Sequence, residues 1–147
     1  MSDIENLLKK VGPIWTPTLE PPELGTVPLD AGRMSGEELS SWLGKCSAWL
    51  SYAYSQLGLS EAQKSLVQRR FSRIVNELIV TKQVKQRTYE LQVAEVLAGN
   101  KDLVVLQEEI ADLDGRIMLW SRMVKAYETY QHLFFDERDR RKWSREQ

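Results

Sequence analysis

The sequence predicts an all-α protein: an extended helical hairpin or bundle with a long, coiled-coil-like C-terminal helix, preceded by a proline-rich N-terminal arm. Three observations predict this fold. All five prolines lie in the first 28 residues, where they disfavour helix. From residue 39 onward, apolar residues recur at helical spacings of three and four. Between residues 103 and 134 this spacing becomes an unbroken heptad register.

The prolines also divide the chain into two parts. Residues 1–34 are predicted to form an arm or linker, with one short helix near residues 3–10 and extended chain over 11–33. Residues 35–147 are predicted to form a helical oligomerisation and binding domain. The arm carries apolar residues that either fold back on the protein's own core or dock on a partner or neighbouring subunit: Trp15, Leu19, Leu24, Val27 and Leu29.

A capping box marks the start of the first helix of the domain. The Ser35 side chain can accept a hydrogen bond from a free amide of the first turn, and Glu38 can reach back to the Ser35 amide. One wide apolar face follows from Leu39 to Leu57. Glycine is the residue type that most often ends a helix, and Gly58 comes next. The first helix is therefore predicted over residues 36–57.

A second helical segment is predicted from residue 60 to residue 98, and Gly99-Asn100 is the expected stop. Apolar residues line its first half and return from Tyr89 onward. The pattern thins over residues 81–88, where polar and basic residues dominate. No proline interrupts the segment, so two possibilities stay open. It forms either one long helix or two helices separated by a kink or break near residues 81–88.

The last helix is predicted from Asp102 to about residue 143. Nine of its ten seam positions are apolar or aromatic, and the tenth is Gln131. A 3.5-residue period over this length is typical of a coiled coil that packs on long helices, from the same chain or from other copies. The predicted oligomerisation residues are Leu103, Leu106, Ile110, Leu113, Ile117, Trp120, Val124, Tyr127 and Phe134.

The composition favours a protein that is not an enzyme. The single cysteine, Cys46, and the single histidine, His132, lie far apart in sequence, which argues against a Cys/His metal site or a nucleophile–base pair. No phosphate-binding glycine loop or metalloprotease motif occurs, so no cofactor and no metal are predicted. The sequence contains neither a membrane-spanning apolar run nor a signal-peptide pattern. The expected location is the cytoplasm of a bacterial or phage-infected bacterial cell.

Charge is unevenly distributed along a chain whose net charge is −1. Residues 61–92 hold seven basic residues against three acidic ones. Pairs one helical turn apart, such as Arg69 and Arg73 or Lys82 and Lys85, can follow a phosphate backbone, and Tyr89 could add a stacking surface. The alternative is a solvated face paired with acids of a neighbouring helix. The candidate DNA-binding residues are Arg69, Arg70, Arg73, Lys82, Lys85 and Arg87.

Three stretches carry a resemblance to a known family: SSWLGK at residues 40–45, EAQK at 61–64 and VLAGNKD at 96–102. In this order they resemble the short, UvsY-like recombination mediator proteins of T4-type phages. The three stretches occur in the same order as in that family, and they are spread over most of residues 35–135. The proline-rich segment 11–33 has no clear counterpart in that family.

The resemblance implies a non-catalytic accessory factor. Such mediators form homo-oligomeric rings, bind single-stranded DNA and help load a RecA-like recombinase onto DNA that is occupied by a single-strand-binding protein. The family's basic DNA-contacting region would fall on the six candidate residues, and assembly on the last helix. The alternative function is a helical structural or adaptor protein, such as a virion component or scaffold, that oligomerises and binds another protein.

Overall fold

The computed structural model describes residues 21–23 and 26–146. These residues form a short 3-10 helix, Ala31–Arg33, and three α-helices: α1 (Gly36–Thr81), α2 (Tyr89–Ala98) and α3 (Lys101–Glu146). α1 and α3 form a long antiparallel hairpin, and α2 packs against both at one end, here called the tip. The other end, where α1 begins and α3 ends, is the open end. The predicted all-α fold and long C-terminal helix are confirmed. The predicted helix near residues 3–10, and Trp15, Leu19 and Leu24, lie outside the described residues.

The predicted capping box is present at the start of α1. The Ser35 hydroxyl accepts a hydrogen bond from the Glu38 amide at 3.1 Å, and the Ser35 amide donates to the Glu38 carboxylate at 2.8 Å. These two bonds satisfy amides that the first turn of a helix would otherwise leave without a partner. The start of the helical domain is therefore encoded by four adjacent residues.

The first helix does not end near Gly58, as predicted, but continues to Thr81. The Ser60 hydroxyl donates a 2.8 Å hydrogen bond to the Gln56 carbonyl oxygen, so it bonds within the helix and caps no new one. Leu57, just before the glycine, packs against the middle of the core. A glycine inside a helix costs only about 1 kcal/mol, which packing against α3 offsets.

The break near residues 81–88, one of the two predicted possibilities, is present. α1 ends in a Schellman motif: the Val84 amide donates to the Ile79 carbonyl oxygen at 3.2 Å, and the Gln83 amide donates to that of Val80 at 3.3 Å. Gln83 has a φ of 50°, in the left-handed region that favours glycine. Val84 and Ile79 both pack at the tip, so an apolar contact accompanies the turn.

Side-chain caps start both later helices. The Thr88 hydroxyl accepts a hydrogen bond from the Leu91 amide at 3.3 Å at the start of α2. The Asn100 side-chain oxygen accepts bonds of 3.0 and 3.3 Å from the amides two and three residues further on, at the start of α3. The predicted stop at Gly99-Asn100 is confirmed. Asn100 both follows the end of α2 and caps α3.

Three apolar clusters hold the hairpin together. The open-end cluster contains Ala31, Leu39, Leu43, Cys46 and Phe134. The middle cluster contains Ala53, Val124 and Tyr127, covered by side chains that include Trp49 and Trp120. The tip cluster contains Val75, Val96 and Leu103, one residue from each helix. Each cluster joins segments far apart in sequence, so burial of these side chains is the main force that closes the hairpin.

The heptad seam of α3 faces α1 of the same chain. Gln131, the polar seam position, donates a 3.0 Å hydrogen bond to the Ser47 hydroxyl of α1. The seam pattern allowed a partner helix from the same chain or from another copy, and in the structure α1 of the same chain packs on the seam. A second copy could pack on the seam only by displacing α1. The oligomerisation role of these residues stays a prediction. Of the nine, five are buried, Leu103, Leu113, Val124, Tyr127 and Phe134, and four are half-buried, Leu106, Ile110, Ile117 and Trp120.

The base of the arm folds back on the open end. Ala31 is buried, and Val27 and Met34 pack against the open-end cluster. Arg141 of α3 donates hydrogen bonds to the carbonyl oxygens of Ala31 at 3.1 Å and Met34 at 2.7 Å. Val27 and residues 31–34 therefore lie on the protein's own core, as in the first of the two predicted alternatives, whereas Leu29 is 76% exposed. Residues 31–33 form a 3-10 turn, where extended chain was predicted.

Candidate nucleic-acid interface

The six predicted DNA-binding residues all lie on the half of the hairpin that ends in the tip, and all are exposed. Within residues 21–23 and 26–146, none of the six makes an ion pair. Lys64, a further basic residue of this region, does pair with Asp114 of α3. The sequence left open that the basic residues pair with acids of a neighbouring helix. Among the seven basic residues of 61–92, this applies to Lys64 alone in the described chain. On α1 lie Arg69, Arg70 and Arg73, and in the connection to α2 lie Lys82, Lys85 and Arg87.

The three arginines form one cationic face of α1. At 3.6 residues per turn, Arg69, Arg70 and Arg73 fall within an arc of about 100°. This arc is centred opposite Phe71 and Val75, which pack towards α2 and α3. Glu77 lies one turn beyond Arg73 but makes no ion pair with it in the described chain. The arginine face is therefore free to meet an anionic ligand.

Lys82 has a different setting from the arginines. Its Nζ lies 3.7 Å from the position that a Cβ of Gly99 would occupy, at the C-terminal end of α2. A helix C-terminus carries partial negative charge, so Lys82 also stabilises that end. Residues 82–88 are not helical, and the one-turn spacing predicted for Lys82 and Lys85 does not apply. The six residues form two groups, an arginine face on α1 and a basic connection.

Exposed apolar side chains accompany the basic residues at the tip. Tyr89, the first residue of α2, is 54% exposed, so its ring is available for stacking. Val80 and Leu91 are 77% and 53% exposed. The sequence predicts the stacking surface at Tyr89 and misses the exposure of Val80 and Leu91. The tip therefore combines cationic, aromatic and aliphatic surface.

Groups that could support catalysis are not gathered in the described residues. Cys46 is fully buried, and burial raises the pKa of its thiol, which keeps the sulfur protonated at neutral pH. His132 is exposed. In residues 21–23 and 26–146, no set of three or more His, Cys, Asp or Glu side chains is placed to hold a metal ion.

A second basic group surrounds a cleft of about 430 Å³ at the open end. Two of its members already bond within the chain. Arg141 binds Glu137 and the arm, and Arg138 lies 3.6 Å from Asp139 and over the ring of Phe135. This group therefore supports the contact between the arm and the hairpin, and it offers fewer free cations than the tip. The basic residues that line the cleft are Arg138, Arg141, Lys142 and Arg145.

No protein-family model matches the chain, and comparison with curated proteins and with solved structures gives no significant match. The class of protein is therefore defined by the fold and the site: a helical hairpin with an exposed cationic and aromatic tip. Among the described helices, none combines the length and apolar character that a membrane crossing requires.

Proposed function

We propose that this protein is a non-catalytic, single-stranded-DNA-binding recombination mediator that assists the loading of a RecA-like recombinase. One observation supports the DNA-binding part: the six basic side chains near the tip are exposed and have no ion-pair partner in the described residues. The mediator part rests on the sequence resemblance to the phage family. The proposed partners are single-stranded DNA, a recombinase, a single-strand-binding protein and further copies of this chain.

Single-stranded DNA suits the mixed chemistry of the tip. Arginine and lysine attract the phosphates of any nucleic acid, and this attraction weakens as salt is added. An aromatic ring adds affinity when a base can leave its neighbours and stack on it, which a single strand allows at low cost. Tyr89 offers such a ring two residues after Arg87 in the sequence, and the arginine face of α1 offers a separate set of phosphate contacts.

We further propose that DNA binding uses several copies of the chain, with a ring as one arrangement. Each copy carries only a modest excess of positive charge between residues 61 and 92. When copies are joined, binding of one patch raises the effective concentration of DNA at the next, so that avidity exceeds the affinity of a single patch.

The test is the salt dependence of binding to a labelled oligonucleotide, with the parent and the triple variant Arg69→Ala, Arg70→Ala, Arg73→Ala. Each phosphate contact with a single strand contributes a slope of about −0.7 to the dependence of log K on log salt. With six contacts, affinity should fall about 300-fold between about 50 and 200 mM salt, and with three contacts about 20-fold. The triple variant should also bind more weakly at the lower salt concentration.

The matched control removes three positive charges from the open end, by Arg138→Ala, Lys142→Ala and Arg145→Ala. This variant has the same net charge as the tip variant and should keep the parent's affinity and salt slope. If both triple variants lose affinity equally, net charge rather than the tip governs binding. If the tip variant binds like the parent, the site assignment is wrong.

The second candidate function, a structural or adaptor protein, draws support from the aliphatic side chains at the tip. Val80 and Leu91 are exposed beside the basic residues, and exposed apolar surface commonly marks a protein-binding site. This candidate predicts no measurable affinity of the parent for an oligonucleotide, even at low salt. Binding of the parent to an isolated recombinase or single-strand-binding protein would contradict this candidate, because those are the proposed partners of a mediator.

A further inference from the structure

The heptad seam of α3 continues beyond Phe134, its last apolar member, and its chemistry changes there. The next positions of the same three-and-four spacing are 138, 141 and 145, and all three are arginine. At about 3.6 residues per turn, these arginines extend from the face of α3 that carries Tyr127 and Phe134. They line a cleft together with residues from the start of α1. The seam therefore ends in a cationic stretch that faces α1.

The start of α1 presents small residues to these arginines, which leaves the cleft open. Gly36 and Ser40 line it from α1, together with Leu39, which is 2% exposed and belongs to the core. The cleft has a volume of about 430 Å³, within the usual range of ligand sites. It is called the open-end cleft below. Apolar side chains fill the seam along the rest of the hairpin, but they do not fill it here.

The open-end cleft has an excess of positive charge. Four basic side chains line it against one carboxylate. Lys142 and Arg145 make no ion pair within the described chain, and Arg138 lies 3.6 Å from the carboxylate of the residue that follows it. Arg141 is engaged with Glu137 and the base of the arm. Three cations can therefore bind an anionic ligand without loss of the contact that holds the arm.

We propose that the open-end cleft binds an acidic peptide segment of a partner protein. The carboxylates of the segment lie on Arg138, Lys142 and Arg145, and an apolar side chain of the segment lies against the wall formed at Leu39. Clusters of arginine are a recurrent means of acidic-motif recognition, because the guanidinium group holds a carboxylate through two parallel hydrogen bonds.

The spacing of the arginines defines the kind of segment. Arg138 and Arg145 lie seven residues apart on one face of α3, or about 10 Å along the helix. An extended peptide covers this length with about three residues, at about 3.3 Å per residue. The expected segment therefore carries acidic residues about three positions apart, with an apolar residue between them.

The cleft already contacts one peptide segment, the base of the arm. Arg141 donates hydrogen bonds to the carbonyl oxygens of Ala31 at 3.1 Å and Met34 at 2.7 Å. These bonds recognise the main chain and do not depend on the type of side chain. A second segment can lie beside the arm, on the basic side chains that neighbour Arg141.

The lining of the cleft fits a peptide better than a nucleic acid. Sites for single-stranded nucleic acid combine cations with aromatic rings on which bases stack. The described residues that line the open-end cleft include no aromatic side chain, and Trp143 lines a neighbouring cleft instead. The apolar wall at Leu39 suits an aliphatic side chain. This site is independent of the proposed DNA-binding tip, so either proposal can fail alone.

The first test measures fluorescence anisotropy of a short labelled peptide composed of glutamate and leucine, with the glutamates three positions apart. The parent should bind this peptide and should not bind a control peptide with glutamine in place of glutamate. The open-end variant, Arg138→Ala, Lys142→Ala, Arg145→Ala, should bind the acidic peptide about 30-fold more weakly. The tip variant of the DNA experiment has the same net charge and should bind it like the parent.

The outcomes separate the acidic peptide from the alternatives. A parent that binds neither peptide, or both equally, would overturn the proposal. Equal losses in the open-end and tip variants would assign peptide binding to net charge, which also overturns it. An unlabelled oligonucleotide should displace the peptide from the tip variant no better than a neutral polymer does. Efficient displacement there would make the cleft a nucleic-acid site and would refute the peptide assignment.

The second test uses two adjacent serines as a matched pair. Ser40→Trp places a ring in the cleft and should abolish peptide binding. Ser41→Trp places the same ring at the next position, which is exposed and does not line the cleft, and should leave binding unchanged. Both variants should keep the parent's unfolding temperature within a few degrees, because both positions are exposed. Equal peptide binding by the two variants would show that the peptide does not enter the cleft.

Discussion

The open end and the tip of the hairpin use their charged side chains in opposite ways. At the open end, Glu137 accepts hydrogen bonds from Arg140 at 2.8 Å and from Arg141 at 2.6 Å, and these bonds lower the pKa of its carboxyl to about 2. Arg141 also binds the base of the arm. Near the tip, Arg69 and Arg73 are exposed and make no ion pair with any described residue.

This difference shows where an anionic ligand can bind at low cost. A cation that already bonds within the chain must give up those bonds before it can hold a phosphate. An exposed and unpaired cation gives up only water and counterions. The fold near the tip is held by apolar contacts among Val75, Val96 and Leu103, so the arginine face of α1 is left for a ligand. At the open end, charge is part of what holds the fold.

The largest expected effect on stability comes from Phe134→Ala at the open end. Phe134 is fully buried and stacks on Trp42 with ring centroids 6.3 Å apart. Removal of a buried phenyl ring leaves a cavity and typically costs about 3–5 kcal/mol, which chemical denaturation would measure. Trp143→Ala on the same helix is the control, because Trp143 is 68% exposed and should change stability by less than about 0.5 kcal/mol. Equal effects would contradict the assigned core.

The next effect concerns the contact between the arm and α3. Arg141→Ala removes the hydrogen bonds to the carbonyl oxygens of Ala31 and Met34 and should cost about 2 kcal/mol. Hydrogen exchange should show faster exchange of the amides of residues 31–34. Arg140→Ala is the control: Arg140 also binds Glu137 but makes no bond to the described part of the arm. If both variants speed exchange equally, Arg141 is not what holds the arm.

The same contact should give the open end a sensitivity to acid. The Glu137 carboxyl has a pKa of about 2 in the folded protein, below its ordinary value of 4.5. As the pH falls below about 4.5, the unfolded chain binds this proton first, so the stability contribution is present above that pH and is lost on the way to about 2. Glu137→Gln should remove this step from the pH profile of stability. An identical profile for both proteins between these values would rule the contact out as the cause.

The sequence predicted those helix ends whose signals lie in adjacent residues. The capping box at Ser35 and Glu38 and the stop at Asn100 are of this kind. The end of α1 is not, because the residue that takes the left-handed conformation there is Gln83, whose type gives no such signal. Gly58 has the residue type of a helix end, yet packing of its neighbours against α3 carries the helix past it.

The candidate site was predictable in its residues but not in its pairing. Charge spacing selected six basic residues that the structure shows to be exposed, and their DNA-binding role stays a prediction. The pairing of Lys64 with Asp114, by contrast, depends on the register of α1 against α3. A heptad pattern also does not identify the helix that covers it, so the seam of α3 could not be assigned to α1 from the sequence.

A smaller effect is expected at the capping box. Ser35→Ala removes the acceptor for the Glu38 amide and should cost about 1 kcal/mol, measured by chemical denaturation. Ser35→Thr keeps an acceptor at the same place and should lose much less. Ser40→Ala, at an exposed position of the next turn, is a second control and should be close to neutral. A loss at Ser40 as large as the loss at Ser35 would contradict the capping role.

The smallest effect, and the only stabilising one, is expected near the tip. Gln83→Gly should raise stability by about 0.5 kcal/mol, because glycine adopts a φ of 50° without steric cost, partly offset by its greater freedom in the unfolded chain. Gln86→Gly is the control, because Gln83 is the one described non-glycine residue with a positive φ. This control variant should lose about 0.5 kcal/mol of stability. Neither variant changes charge, so both should keep the parent's salt slope for DNA. If Gln83→Gly instead raised the affinity for DNA, DNA binding would require the turn at the end of α1 to become ordered first. The apolar cluster at the tip would then not be enough to hold that turn.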